Sequence, residues 1–326
     1  MREHHRTHRE DPTAPQTSAL HPGATHTAAQ RIVPPAQHPH PGTYPVPPAY
    51  AVDATAPGTE QNTVQPAAQE SAQAAPALSL RGLSKAFGQK IAVNRLNLDI
   101  PSGSFYGLVG RNGAGKTTTI SMATGMLEPD EGTAYIRGID MWTNPLEAKK
   151  QLGVLPDGVY LFDKLTGEQL ITYSGYLHGL DKDTVATRAA DLLAAMDLQE
   201  AAGRRVADYS AGMTKKIALA SALIHAPSVL ILDEPFEAVD PVSAANIQDI
   251  LKGFVAGGGT VILSSHVMDL VQRLCDHVAI MNDGLLLAAG TVDQVRGEMS
   301  LEEKFVQLVG GRTTSEGLEW LGTSSH

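Results

Sequence analysis

The chain has 326 residues, a formal net charge of −10 and a single cysteine, Cys275. This length allows one or two domains with a sizeable core, the acidic balance disfavours nucleic acid as a partner, and one cysteine excludes an intramolecular disulfide and fits a reducing compartment such as the cytoplasm. No stretch reaches the roughly 18 consecutive apolar residues of a spanning helix, and the polar start lacks the apolar core of a secretory signal. We therefore expect the chain to be soluble by itself, with any membrane association made through a partner.

Residues 1–76 differ in composition from the rest of the chain. They hold most of the prolines and histidines and almost no spaced apolar pattern. Such a segment buries too little surface to offset its ordering entropy, which predicts a disordered extension. Seven histidines between His4 and His40 raise the alternative of a metal site. Their spacing is irregular and no cysteine or carboxylate framework accompanies them, so a solvated tail is favoured.

From Ala77 onward, strands alternate with helices. Apolar alternation and short apolar runs predict strands over 78–87, 96–100, 104–110, 133–140, 152–156, 228–235, 260–265 and 277–282. Apolar residues at three- and four-residue spacing predict helices over 116–126, 165–180, 184–198, 243–254 and 266–275. Thr166 is a candidate cap of the second of these, with Glu168 near its start. This alternation indicates an α/β fold, a mostly parallel sheet with helices on both faces.

A glycine-rich segment lies between the predicted strand 104–110 and the helix that follows it. It fits the phosphate-loop pattern G-x-x-x-x-G-K-[ST] through Gly110, Arg111, Asn112, Gly113, Ala114, Gly115, Lys116 and Thr117. Glycines let backbone N–H groups approach phosphates, and the following helix adds the positive end of its dipole. A dinucleotide site is disfavoured because Thr118 replaces its third glycine. We expect this loop to bind ATP, rather than to be a glycine-rich turn with an exposed lysine.

A second element consists of two acids, Asp233 at the end of an apolar run and Glu234 directly after it. At the sheet edge beside the phosphate loop, Asp233 would hold Mg²⁺ through water, and Glu234 would accept a proton from the attacking water. Two solvated acids at a strand end are a common alternative, which the phosphate loop disfavours. Together the two elements predict ATP hydrolysis.

Three further motifs make this sequence resemble the ATP-binding cassette (ABC) family, and they occur in the order found in that family. Residues 209–213 look like the LSGGQ signature, residues 238–240 look like the D-loop, and His266 stands at the position of the switch histidine. Phe87, followed by Gly88, matches the aromatic position that stacks on adenine. The resemblance covers about 78–311 and implies a P-loop NTPase core of the RecA-like kind with an antiparallel β subdomain and a helical subdomain at about 159–225. Residues 77–311 would then form the ABC domain, and 312–326 a flexible tail.

The resemblance also implies roles for individual residues. Lys116, Glu234 as general base and His266 at the γ-phosphate would carry catalysis. ATP would be bound in one chain by Phe87, Gly110, Arg111, Asn112, Gly113, Ala114, Gly115, Lys116, Thr117, Thr118 and Asp240, and in trans by Ser210 and Gly212 of a second cassette. Mg²⁺ would be held by Thr117, Asp233 and Asp157. From the residues alone, His266 fits a surface or capping residue, Phe87 a core residue and Ser210 a helix N-cap, and the last of these is compatible with a phosphate contact.

Two departures from the family pattern concern the Q-loop and the signature. Asp157 stands where the family has glutamine, which adds a third carboxylate near Asp233 and Glu234 and predicts altered metal dependence or slower turnover. In the signature, Ala211 and Met213 replace glycine and glutamine, while Ser210 and Gly212 are retained.

The leading functional hypothesis is the ATPase subunit of a transporter whose permease is a separate chain. The segment 300–311 resembles the end of ABC-2-type exporter subunits, which favours export and a position on the inner face of the plasma membrane. One alternative is a soluble ABC ATPase acting on ribosomes or DNA, which the single cassette and the acidic charge disfavour. Another is an ATP-binding regulator that does not hydrolyse ATP, which Glu234 argues against and Asp157 leaves open.

Overall fold

The computed structural model describes residues 75–158 and 160–310. The predicted N-terminal extension with its histidines, except for residues 75 and 76, and the predicted C-terminal tail lie outside the described residues. The strands are β1 Leu78–Phe87, β2 Lys90–Ile100, β3 Phe105–Val109, β4 Glu131–Ile136, β5 Ile139–Asp140, β6 Leu152–Leu155, β7 Val229–Asp233, β8 Thr260–Ser265, β9 His277–Asn282 and β10 Leu285–Thr291. The helices are α1 Lys116–Ala123, α2 Pro145–Lys150, α3 Gly167–Leu177, α4 Lys182–Ala195, α5 Ala211–Leu223, α6 Pro241–Ala256, α7 Met268–Leu274, α8 Val292–Arg296 and α9 Leu301–Val309.

The strands form two sheets of different character. Four strands pair antiparallel in the order β2-β1-β4-β5, and six strands form a second sheet in the order β10-β9-β3-β8-β7-β6. In the second sheet every pairing from β9 to β6 is parallel, and only β10 pairs antiparallel at the edge. The α/β class, the mostly parallel sheet and the separate antiparallel sheet are confirmed.

Register in the parallel sheet brings three strand ends together. Asp233 at the end of β7 pairs with Ser264 on β8, and Ser265 pairs with Val109 at the end of β3. Every residue of β3, β7 and β8 is buried, as expected for parallel strands covered on both faces. The segments that follow these strands therefore start from one rigid edge.

The sole cysteine lies in the core beside β3. Cys275 is buried, and its pKa is raised first by that burial and then by the neighbouring Asp276. A Cβ at Gly107 would lie 3.3 Å from its sulfur and would collide with Val271, so β3 and α7 pack without a gap. This packing joins β3 to α7, the helix that follows His266.

Helices α3, α4 and α5 lie between β6 and β7 in the chain and pack on one another. Thr166 caps α3 as predicted, but the reciprocal partner is Gln169: its backbone N–H donates to Thr166 Oγ1, and its side chain accepts from the Thr166 N–H. Glu168 has no part in this capping box, because the residue that contacts the cap is the third one after it, which is Gln169. Helix α5 falls within the helical subdomain expected at about 159–225, whereas helices α2, α8 and α9 and strand β10 were not predicted from the sequence.

Within 75–158 and 160–310, no helix combines the length and the apolar character needed to cross a bilayer.

Candidate functional site

The phosphate loop connects β3 to α1, and its glycines are required by crowding and by backbone geometry. A Cβ at Gly110 would collide with the Met281 carbonyl oxygen and lie 2.9 Å from the Ala114 Cβ. Gly115 has φ +102°, and a Cβ there would collide with the Ala92 carbonyl oxygen. Gly113 has φ +84° and open space in the direction of a Cβ. The loop is therefore packed against strands of both sheets, β9 at Gly110 and β2 at Gly115, and is open at Gly113.

Lys116 begins α1 and is buried, at 6% exposure. Its ammonium donates to the Gly110 carbonyl at 2.9 Å and to the Arg111 carbonyl at 3.4 Å. It also lies 3.4 Å from Glu234 Oε1. A lysine is rarely buried without such partners, and this one places its charge at the centre of the loop.

The two acids at the end of β7, Asp233 and Glu234, have different surroundings. Asp233 is 1% exposed and accepts a short hydrogen bond from the Ser264 hydroxyl. That hydroxyl in turn accepts the Glu234 N–H at 3.0 Å. The Glu234 side chain, 11% exposed, extends toward Lys116, and its Oε1 is buried with no hydrogen-bond donor among the described residues. The 3.4 Å between the Lys116 ammonium and Glu234 Oε1 allows electrostatic attraction, but the two groups are not aligned for a hydrogen bond.

His266 follows β8 directly and contacts Glu234. Its Nδ1 lies 3.1 Å from Glu234 Oε2, and since a carboxylate only accepts, the histidine is the donor. The ring is 43% exposed and lines a cavity of about 680 Å³ that also contacts Gly110, Arg111 and Asn112. Glu234 thus connects the phosphate-loop lysine to the switch histidine.

A second cavity, of about 440 Å³, lies on the open side of the phosphate loop. Its wall includes Phe87, which is 53% exposed, and the side chain of Asp157. The loop contributes Asn112, Gly113, Gly115, Lys116, Thr117 and Thr118, β2 contributes Lys90, and the segment after β7 contributes Glu234 and Glu237. The cavity therefore joins the β1–β2 turn, the phosphate loop and the end of β7. Asp233 lies behind it, held by Ser264.

The signature and D-loop residues lie together but away from this cavity. Ser210 caps α5 by accepting the Met213 N–H at 3.3 Å. Asp240 caps α6 by accepting the N–H groups of Val242 and Ser243, and the latter bond is the main cause of its lowered pKa. A Cβ at Gly212 would lie 2.8 Å from Ser243 Oγ and 2.9 Å from Asp240 Oδ2. The two helix starts are thus in contact within one chain, and neither Ser210 nor Gly212 lines the phosphate-loop cavity.

The residues present fit a nucleoside triphosphate with a divalent cation. The glycine loop opens onto a helix start whose first N–H groups have no partner within the helix. The exposed Thr117 hydroxyl beside it is a hard oxygen donor of the kind that Mg²⁺ prefers, and Glu234 Oε1, which has no hydrogen-bond donor among the described residues, is a carboxylate oxygen available to accept a proton.

Three contacts at this site were not predicted from the sequence. Ser264 joins Asp233 to the Glu234 backbone, Glu237 adds a carboxylate to the cavity wall, and the Lys215 ammonium donates to the Glu234 carbonyl at 3.2 Å. Ser264 could have been found from its place near the end of a predicted strand parallel to β7. Lys215 gives no such signal, because its reach depends on how α5 packs.

Comparison with known proteins agrees with this geometry. The family model described as ABC transporter matches residues 93–237. The linearmycin resistance ATP-binding protein LnrL of Bacillus subtilis is 35% identical over 214 residues, which cover 66% of this chain and 69% of that protein. The daunorubicin resistance ATP-binding protein DrrA3 of Streptomyces coeruleorubidus is 33% identical over 222 residues, which cover 68% and 70%.

An export protein and a solved structure are also similar to this chain. The Nod factor export ATP-binding protein I of Burkholderia orbicola is 34% identical over 218 residues, which cover 65% of this chain and 70% of that protein. A structure described as an ATP binding subunit of an ABC transporter superposes with a TM-score of 0.67 at 28% identity, covering 72% of this chain and 99% of the other. The chain belongs to the ATP-binding subunits of ABC transporters and is an ATPase.

Proposed function

We propose that this ATPase drives export through a permease on a separate chain, and that it works as a pair of cassettes at the inner face of the plasma membrane. The observation that carries the catalytic part is the position of the Glu234 carboxylate, which lies between Lys116 and His266. The relatives named for drug resistance and for Nod factor export support the direction of transport.

The hydrolytic step uses groups of this chain at stated atoms. Lys116 and the loop N–H groups bind the phosphates and stabilise the charge that develops on them. The Thr117 hydroxyl and the Asp233 carboxylate would hold Mg²⁺, which would neutralise phosphate charge. Glu234 accepts the proton of the attacking water, and His266, which donates to Glu234 Oε2 at 3.1 Å, keeps that carboxylate oriented.

The site is completed by a second cassette. Ser210 and Gly212 lie at the start of α5, outside the cavity that contains the chain's own Lys116. Placed against the open face of a partner's phosphate loop, the α5 start presents the Ser210 hydroxyl and the positive end of its helix to the γ-phosphate. Phe87, at the opposite wall of the cavity, would stack on the adenine ring.

We place the permease contact on the aromatic side of the helical stretch. Phe162 and Tyr173 form an edge-to-face pair with ring centroids 5.9 Å apart, and both are more than a third exposed. Tyr160, nearby in the chain, lines a cavity of about 380 Å³ together with β6 and α5. Exposed apolar side chains beside a groove are the usual mark of a protein contact, which fits a segment of the permease.

The partner assignment is tested by copurification. The tagged protein, expressed in its own host, should retain a multi-spanning membrane protein after mild detergent extraction, and Tyr173→Ser with Phe162→Ser should release it. The exposed Val242→Ser, on the D-loop side, is the matched control and should retain the membrane protein. A tagged protein recovered without any membrane partner would refute the transport assignment.

Hydrolysis with dimer formation is tested by Glu234→Gln. Removing the base should lower kcat by about 100-fold or more and leave ATP bound, so that a dimer accumulates on size exclusion when ATP is added. A Glu234→Gln variant that hydrolyses ATP at the wild-type rate would contradict the role given to this carboxylate.

A further inference from the structure

The backbone of Glu234 adopts a conformation that few residues adopt. Its φ is +46°, in the left-handed region where a side chain crowds the backbone, and Pro235 follows it, which restricts the residue further. Such a conformation persists only where the surroundings hold it, and strain of this kind is concentrated at active sites. The contacts that hold the two peptide groups of Glu234 therefore determine where its carboxylate points.

Those contacts come from different parts of the fold. On the amino side, the Glu234 N–H donates to Ser264 Oγ on β8. On the carboxyl side, the Glu234 carbonyl accepts the Lys215 ammonium at 3.2 Å and the Glu237 N–H at 3.3 Å. Ser264 belongs to the sheet and Glu237 to the same loop as Glu234. Only Lys215, of these three, comes from the helical stretch between β6 and β7.

Lys215 lies on the helix that carries the signature serine. Ser210 is the N-cap of α5, and the Ser210 carbonyl accepts the N–H of Thr214, the residue before Lys215. Lys215 is half-buried, so its stem is packed and its ammonium reaches Glu234 from a defined direction. A displacement of the α5 start is therefore passed to the Glu234 carbonyl through one charge-assisted hydrogen bond.

We propose that Lys215 is a positioning residue for hydrolysis, which couples the signature helix of a chain to the catalytic carboxylate of the same chain. This inference rests on the proposed role of Glu234 as the base. Contact of the α5 start with a partner's ATP would orient the base for the ATP bound in the same chain, so that the two sites of a dimer act in concert. Small displacements suffice, since a misplacement near 1 Å is associated with rate losses of about 100-fold.

The test is a comparison of steady-state kinetics among full-length variants. Lys215→Met removes the donor and keeps the stem, and it should lower kcat by about 10-fold while the KM for ATP stays within about twofold. Lys215→Arg restores a charged donor and should recover most of kcat. Lys252→Met, an exposed lysine on α6, is the matched control and should behave as wild type.

The outcomes separate this inference from the function it rests on. Wild-type kcat in Lys215→Met, or a joint loss of kcat, ATP affinity and melting temperature that Lys215→Arg does not reverse, would overturn the positioning role. Lys215→Gln replaces Lys215→Met in the comparison if the latter does not fold. If Glu234→Gln abolishes hydrolysis and Lys215→Met does not slow it, only the Lys215 inference fails. If Glu234→Gln hydrolyses normally, both fail.

Discussion

The phosphate loop and the signature turn, residues 209–213, both present the start of a helix, but they are built differently. At the phosphate loop the N-cap of α1 is Gly115, and no side chain of the described structure caps that helix. At the signature turn the N-cap of α5 is Ser210, whose hydroxyl accepts the Met213 N–H. An uncapped start leaves its N–H groups to a ligand, while a serine cap has one acceptor in use and one proton free to donate.

The contacts around the two helix starts also differ. The phosphate loop has a buried lysine, a buried carboxylate and glycines crowded by backbone, all within one chain. The signature turn is held by the Ser210 cap, by the Tyr209 hydroxyl, which donates to the Ala201 carbonyl, and by contact with Asp240 and Ser243. The first region gathers its charged groups within one chain, whereas under the proposed function the second acts on the ATP of a partner chain. Five predictions test these regions and their neighbours, in order of decreasing effect.

Lys116→Ala should damage the first region alone. Loss of the ammonium removes the charge beside the phosphates and leaves Glu234 Oε1 buried without a cation, so ATP hydrolysis should fall by about 100-fold or more. The measurement is phosphate release at saturating ATP, with Lys252→Ala as control. Hydrolysis within a few-fold of wild type would contradict the role of the loop.

Gly212→Ala should damage the second region and spare the first. The added Cβ has only 2.8 Å to Ser243 Oγ and 2.9 Å to Asp240 Oδ2, so the Ser243 hydroxyl and the Asp240 carboxylate that caps α6 must shift. Hydrolysis should fall by about 10-fold with unchanged ATP affinity of the monomer. Gly203→Ala, where a Cβ meets nothing within 4 Å, is the control.

A mixture of the two variants sharpens the comparison further. In a mixed dimer, the intact phosphate loop of the Gly212→Ala chain meets the intact signature of the Lys116→Ala chain, but the base at that site belongs to the chain whose own signature is altered. A shared site with coupling through Lys215 therefore predicts a mixture no faster than the Gly212→Ala variant. A mixture faster than either variant alone would support the shared site and contradict the coupling.

The same two regions show what the sequence could predict. The glycine loop and the apolar strand ends are local patterns, and they predict Lys116, Asp233 and Glu234 near one sheet edge. The direction of each side chain could not be predicted from these patterns. Asp233 contacts Ser264 because of the register between β7 and β8, which are distant in the sequence. The Lys215 contact depends on packing between distant elements, which no local pattern encodes.

Asp157→Gln should have a smaller effect, on ATP binding in the cavity beside the phosphate loop. Removing one of the carboxylates in the wall, beside Glu234 and Glu237, lowers repulsion of the triphosphate, so the Kd for ATP should fall by about threefold at low salt and less at high salt. The Mg²⁺ dependence of turnover should shift as well. Asp249→Asn, on an exposed face of α6, is the control, and unchanged ATPase kinetics would count against the Asp157 prediction.

The smallest expected effect concerns the far end of the signature helix and its pH dependence. His225 and His178 stack face to face with ring centroids 3.7 Å apart, and the His225 Nε2 donates to the Leu152 carbonyl. Burial, and then the neighbouring His178, lowers the pKa of His225 to about 4, and burial also lowers the pKa of His178.

Because the unfolded chain takes up these protons at a higher pH than the folded chain, stability is full above about pH 6.5 and falls as the pH drops toward 4. His225→Gln keeps a donor for Leu152 and should show a smaller loss of melting temperature between pH 7 and pH 5 than wild type. Equal losses would mean that other groups dominate acid sensitivity.

The burial of Cys275 under Gly107 and Val271 makes the natural protein a ready background for site-directed labelling. Its thiol, the only one in the sequence, is shielded from solvent and held in the protonated form by its raised pKa, so maleimide reagents should leave it unmodified in the folded state. A single cysteine introduced at Val242, which is 79% exposed on α6 beside the D-loop, would then carry one probe per chain. The distance between two such probes would report the approach of two cassettes in real time, without any cysteine-free variant having to be made.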